Sequence, residues 1–331
     1  MTETTNEKRR LIIDGLQADE CDLEVFEEWQ KGGVSCVHCT AMNYTFDNTR
    51  EAISALSRWR RAFRSHSDLI RPALGADDIV NTAKDGKTAV ILGFQNTLPL
   101  EDDLAMVEMF YDLGIRSLQM SYNHQGLAGS GCLEPNDSGL SLYGKKIVEE
   151  MNRLGMIVDV SHCGVKTSMD SIEHSTMPIA VTHSNSLSFP GGGAELNHRL
   201  KSDEIMKACA EKGGMFGMVL FPAMLPGGVN CTLERFCDLI EHTVSIVGHK
   251  NVGLGTDFVW RRPLSYIKQV RTGRSTFDMA SVIPPKWPEW MRTPADFPRI
   301  ADELARRNWS EEHVDDYMGE NWLRYYRRVL G

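Results

Sequence analysis

Three apolar runs in this chain end in residues that can bind a metal or move a proton. MIVDVSH at 156–162 ends in His162, IAVTH at 179–183 in His183, and VGLGTD at 252–257 in Asp257. Imidazole nitrogen and carboxylate oxygen are standard ligands for zinc and similar cations, and the same groups serve as general acids and bases. A single histidine at a strand end is ordinarily a hydrogen-bonded structural residue. Three such groups at the same end of parallel strands converge on one mouth and point to a shared site. The remaining histidines (His38, His66, His124, His174, His198, His242, His249 and His313) fall in helices, loops or ambiguous positions and read as structural. Cys36 and Cys39 have the spacing of a metal knuckle, but no second CxxC completes four ligands, so no structural zinc is expected there.

The elements that position these groups are short apolar runs at 11–13, 34–39, 89–93, 117–121, 156–160, 179–182, 215–220 and 252–255, eight in all. Helical patterns separate most of them. Leu104, Val107, Phe110 and Tyr111 share one helical face, as do Ile147, Met151 and Leu154, and again Phe236, Ile240, Val244 and Val247. Runs that are apolar throughout belong to strands buried on both faces, in a closed barrel or an open doubly wound sheet. No glycine-rich phosphate fingerprint follows the first run, which lowers the dinucleotide-binding option. Residues 261–298 interleave six prolines with Trp287 and Trp290 and read as a long excursion after the last strand, either a lid or subunit contact or a plain surface loop. Two helical patterns, 295–307 and 311–329, close the chain.

Of the 331 residues, 42% are hydrophobic and 24% charged, as in an ordinary globular protein. A net charge of −9 argues against nucleic acid or an anionic membrane as partner and leaves small molecules. The polar start MTETTNEKRR lacks a signal-peptide core, and no stretch reaches membrane-span length, so a cytoplasmic location is expected. The eight scattered cysteines are expected to be reduced.

GLSLYGK at 139–145, VEEMNRLGMIVDVSH at 148–162, THSN at 182–185, His198-Arg199, Gly213-Gly214 and GLGTD at 253–257 make the chain resemble the renal (membrane) dipeptidase family. The likeness runs from Ile13-Asp14-Gly15 to Gly319-Glu320-Asn321. It implies a single (β/α)8 TIM-barrel domain over 1–331 and a zinc-dependent hydrolase. It also implies that His162 and His183 are the second-site metal ligands, that Asp257 handles protons at the first site, and that Arg199 contacts the substrate carboxylate.

The departures are equally specific. Where the family has Asp-Gly-His-x-Asp, this chain has Asp14-Gly15-Leu16-Gln17-Ala18; Gln95 replaces the bridging glutamate, and Tyr122 replaces a substrate-binding histidine. A neutral amide cannot bridge two cations as a carboxylate does. The expectation is therefore at most one zinc per chain, on His162 and His183, with Gln95, Asp257 or Cys163 as further ligands. Cys163 follows His162 directly and would face away on a strand, which favours packing. Asp257 would be catalytic, with Arg199, Tyr122 and Asn96 binding a dipeptide-like or other small carboxylate-bearing amide. The alternatives are a non-peptidase C–N cleavage, deamination or lyase step, or an inactive binding protein. A homodimer is compatible with this reading.

Overall fold

The computed structural model describes residues 10–19, 21–41, 48–193, 196–259 and 286–331. Strands and helices alternate along the chain. The strands are β1 (Ile13–Gln17), β2 (Cys36–Thr40), β3 (Ile70–Pro72), β4 (Thr88–Phe94), β5 (Ile115–Gln119), β6 (Ile157–Asp159), β7 (Ala180–Ser184), β8 (Met215–Met218) and β9 (Val252–Leu254). All pair in parallel; β1 joins β9, and β2 joins β4, so eight strands close a barrel, while β3 pairs with the first half of β4. The chain is a (β/α)8 TIM barrel.

All eight apolar runs lie on or beside barrel strands. The first is displaced, with β1 extending through polar Asp14 and Gln17. Those two side chains hide their polarity in each other: Gln17 Nε2 donates to Asp14 Oδ2 at 2.7 Å, and Trp29 Nε1 donates to Gln17 Oε1 at 2.8 Å. β3 has no apolar signature because it is three residues long and its proline is exposed.

Around the barrel run α1 (Leu23–Lys31), α2 (Thr49–Ser65), α3 (Ala76–Lys84), α4 (Met106–Asp112), α5 (Leu142–Leu154), α6 (Val165–His174), α7 (Asp203–Glu211) and α8 (Leu233–Val247). Local signals set their ends. Asn48 caps α2 by accepting from Arg50 and Glu51 backbone N–H groups while Glu51 returns a bond to Asn48 N. Ser141 caps α5, which ends at Gly155 with φ of 71°, a left-handed position suited to glycine.

The chain closes with α9 (Pro298–Arg306), α10 (Glu311–Asp315), one π turn (Asp316–Glu320) and α11 (Asn321–Val329). Trp322, Tyr325 and Tyr326 pack with Ile13, Cys36, Ala89, Ile157, Ala180 and Met215, which sit at the starts of six strands. These aromatics plug the amino end of the barrel and leave the carboxyl end as the mouth. Most of the proline- and tryptophan-rich excursion lies outside the described residues. Its far end is anchored: Trp287 stacks on Phe258 at 4.0 Å, and Trp290 Nε1 donates to Cys231 O at 2.8 Å.

Candidate active site

At the carboxyl end of β6, the buried carboxylate of Asp159 shapes the turn that presents His162. It accepts from Ser161 N at 3.0 Å and Ser161 Oγ at 2.5 Å, and across to β7 from Thr182 N at 3.1 Å and Thr182 Oγ1 at 2.8 Å. Burial raises its pKa against these hydrogen bonds, which favour the ionised form. One carboxylate thus ties together the two strand ends that carry the histidines.

His162 and His183 are both buried, and their Nε2 atoms lie 2.9 Å apart. The outer nitrogen of each ring is anchored. His162 Nδ1 bonds Asn123 Oδ1 at 2.7 Å, and His183 Nδ1 bonds Thr182 Oγ1 at 2.8 Å. An amide oxygen only accepts, so His162 carries its proton on Nδ1. Thr182 Oγ1 donates to Asp159 Oδ2 and also contacts His183 Nδ1, whose role depends on the tautomer. The two Nε2 atoms face each other at hydrogen-bond distance, with the proton's place between them set by the tautomer. Tyr122 stacks on His162 with centroids 3.9 Å apart and fixes the ring plane.

Positive charge backs the pair. Arg199 is buried and donates to the carbonyls of Ser161 and, at 3.5 Å, His183. Lys201 Nζ donates to Cys163 O at 2.9 Å and Ser168 Oγ at 3.3 Å, and burial pushes its pKa down to about 8. Burial first, and then the Arg199 cation, hold both imidazoles well below the usual histidine range. They are therefore neutral, the form in which imidazole ligates metal.

Two facing imidazole nitrogens are donor chemistry that suits a metal ion. Two nitrogens on a tetrahedral zinc sit about 3.3 Å apart, so rings at 2.9 Å need to open by a few tenths of an ångström. At the end of β1, Leu16 and Ala18 are buried and supply no donor. Gln95, just after β4, is a buried neutral amide whose backbone carbonyl accepts from Gln119 Nε2 at 2.5 Å. Among the described residues no group of three or more histidine, cysteine, aspartate and glutamate side chains is arranged to hold a metal.

Asp257 follows β9 with φ of 53°, a left-handed conformation uncommon for a residue other than glycine, and its N–H donates to Leu16 O at 2.9 Å. Asn96 follows Gln95 at the same rim. Cys163 is buried with Sγ 3.9 Å from Ser121 O, a packing position. His38 is a satisfied barrel histidine, bonded through Nδ1 to Gly15 O at 2.9 Å. Sequence reasoning missed Asn123, Asp159 and Lys201. The Asp159-Val160-Ser161 step carried a usable signal, since a carboxylate two residues before a serine at a strand end favours a side-chain-bonded turn.

A family model described as membrane dipeptidase (peptidase family M19) matches residues 16–269. An uncharacterized dipeptidase of Schizosaccharomyces pombe is 24% identical over 311 residues, covering 89% of this chain and 68% of the relative. Dipeptidase 3 of Rattus norvegicus is 24% identical over 86% of this chain, which spans only 53% of that protein. The crystal structure of an amidohydrolase from Pseudomonas aeruginosa is 34% identical and superposes with a TM-score of 0.90 over 97% of both chains.

Proposed function

The chain belongs to the membrane dipeptidase family, peptidase family M19, and from that premise we propose that it hydrolyses a small, dipeptide-like amide bearing a free carboxylate at a site reduced to one metal ion. The facing Nε2 atoms of His162 and His183, 2.9 Å apart at the barrel mouth, carry this reading. These two residues would hold the ion, with Gln95 as a further, weaker ligand. When bound, such an ion lowers the pKa of a water and polarises the scissile carbonyl.

The chain's own groups do the rest. Asp257 takes the proton of the attacking water and returns it to the leaving amine. Arg199 supplies a fixed cation for the substrate carboxylate. Tyr122 holds the His162 plane and, with Asn96, borders the substrate. Residues 1–331 act as one hydrolase domain in the cytoplasm, alone or as a homodimer. No helix among the described residues is long and apolar enough to cross a membrane.

A second reading, C–N cleavage of a non-peptide amide on the same scaffold, is favoured by the lost bridging carboxylate at Gln95 and agrees with the amidohydrolase name of the 34% identical structure. Elemental analysis of protein purified without chelators, paired with hydrolysis assays on dipeptides and on simple amides, tests both. One zinc per chain is expected, lost together with hydrolysis in His183→Ala. Two equivalents retained after dialysis, or hydrolysis indifferent to chelator and to His183→Ala, overturns the one-ion site.

A further inference from the structure

His162 stands in a turn whose three carbonyls are each held from outside it. Arg199 donates to Ser161 O, Cys132 N donates to His162 O at 2.9 Å, and Lys201 Nζ donates to Cys163 O at 2.9 Å. Two of these three donors come from one short segment. Leu200 between them is extended, with φ of −75° and ψ of 151°, so the side chains of residues 199 and 201 fall on the same side of the backbone. The segment is itself tied to the residues that follow β7, since Lys201 N donates to Asn185 O at 3.0 Å and Leu187 N to Lys201 O at 2.9 Å. It therefore braces both histidine-bearing strand ends.

Lys201 is 3% exposed. Both its side-chain bonds go to neutral oxygens, Cys163 O and, at 3.3 Å, Ser168 Oγ, and among the described residues no carboxylate pairs with the ammonium. Desolvating an ammonium without an anionic partner is unfavourable. Methionine would fill the same volume without that penalty, so packing alone does not account for a lysine here. What the ammonium adds is a charge-assisted hold on the Cys163 carbonyl. Ser168 extends that hold into α6, because its hydroxyl donates to Gly164 O at 2.7 Å and keeps its lone pairs for Lys201.

We propose that Lys201 is a positioning residue of this site: with Arg199 it clamps the turn from Ser161 to Cys163 and so fixes the direction in which His162 Nε2 meets His183 Nε2. It acts through the backbone, since its bonds reach Cys163 O and Ser168 Oγ and neither imidazole. The inference rests on the reading of His162 and His183 as the holders of one ion. Removing a group that orients a metal-binding histidine from behind weakens ion binding by about 10–100-fold.

The test titrates cobalt(II), whose visible absorption reports ligation, into chelator-stripped parent, Lys201→Met, Lys201→Gln and Lys212→Met. Lys201→Met keeps the side-chain length and removes the donor. Lys201→Gln, neutral and one atom shorter, is the milder change should the first fail to fold. Lys212 is the control, because it too donates to backbone carbonyls, those of Ile172, Glu173 and Ser175 at the far end of α6. Its loss should lower the thermal midpoint and leave cobalt affinity as in the parent. Each folded Lys201 variant should bind cobalt at least about tenfold more weakly than the parent. Affinity within about twofold of the parent, or an equal loss in Lys212→Met, overturns the positioning role and leaves the one-ion reading standing. Nuclear magnetic resonance of isotope-labelled histidine reads the same turn without metal. The His162 Nδ1–H signal should be sharp in the parent and in Lys212→Met, and lost or exchanging in the Lys201 variants. If the parent binds no cobalt, the one-ion reading falls and that signal alone decides Lys201: its loss sustains the clamp, and its persistence overturns it.

Discussion

Two buried groups inside the barrel have pKa values displaced in opposite directions. Burial pushes His38 down to about 4 from an ordinary 6.5, outweighing its bond to Gly15. Burial pushes Asp14 up to about 6 from 3.8, against hydrogen bonds from Thr256, Gln17 and Leu16. Between pH 4 and 6.5 the unfolded chain binds a proton at His38 that the folded chain refuses, so this residue's contribution falls as pH drops through that window. Asp14 behaves oppositely: between pH 3.8 and 6 the folded chain holds the proton, and stability falls as pH rises. Each effect is worth about 3 kcal/mol, and over pH 4 to 6 they nearly cancel. Urea midpoints of His38→Gln, read relative to the parent so that other groups drop out, should therefore decline from pH 4 to 6. Those of Asp14→Asn should climb over the same range. Two variants that track the parent in parallel would show that neither group is perturbed as described.

At the scale of elements, the carboxyl-terminal helix is as much a barrel component as any strand. Trp322 is fully buried and donates through Nε1 to Leu254 O at 2.6 Å. Gly15 and Gly253 make its seat, since a Cβ at Gly15 would lie 2.2 Å from Trp322 Cζ2 and one at Gly253 would lie 2.8 Å from Nε1. Trp322→Ala should cost about 3–5 kcal/mol in urea unfolding. Gly15→Ala should also be destabilising, but less so in the Trp322→Ala background, because the ring clash has gone while the 2.9 Å approach to Leu254 O remains. Strict additivity of the two would deny the contact. The strand ends were readable before the fold was seen: a run such as 179–183, apolar until a histidine, has a period and a terminus that the sequence displays directly. The plug was not, because nothing in the spacing of 311–329 says which end of a barrel its aromatics enter. Asn123 and Lys201 were hidden for the same reason, since their partners, His162 at a distance of 39 residues and Cys163 at 38, are set by tertiary closure. Asp14 and Gln17 misled the reading of β1 because two polar residues that satisfy each other look like a loop until they are paired.

Over the whole molecule, the barrel brings the ends of β1, β4, β6, β7 and β9 to one mouth, and only some of those ends carry residue types able to ligate a metal. β6 and β7 contribute His162 and His183, while β1 contributes Leu16 and Ala18, and β4 is followed by Gln95. The end of β1 is fixed beside Asp257, with Asp257 N donating to Leu16 O and Ala18 N to Phe258 O, both at 2.9 Å. The triple change Leu16→His, Ala18→Asp and Gln95→Glu should therefore add a second ion, because the backbone that would position the new ligands is already in place. Glutamate at 95 could bridge two cations, and a water shared between them could lose its proton near neutral pH. Without metal, the new buried carboxylates, with Asp257 nearby, would repel one another, so the stripped variant should melt below the parent. Zinc should reverse this, since an ion that binds only the folded state adds about 2.7 kcal/mol at a hundredfold excess over its Kd. Thermal unfolding with and without zinc, alongside metal analysis, reads both effects. A folded triple variant with no extra metal and no zinc-linked gain would mean that positions 16, 18 and 95 do not face one site. Gain of the ion without dipeptide hydrolysis would leave the positions of the new ligands sustained and place the remaining difference elsewhere in the mouth, with Tyr122 in place of a histidine as the first residue to revert.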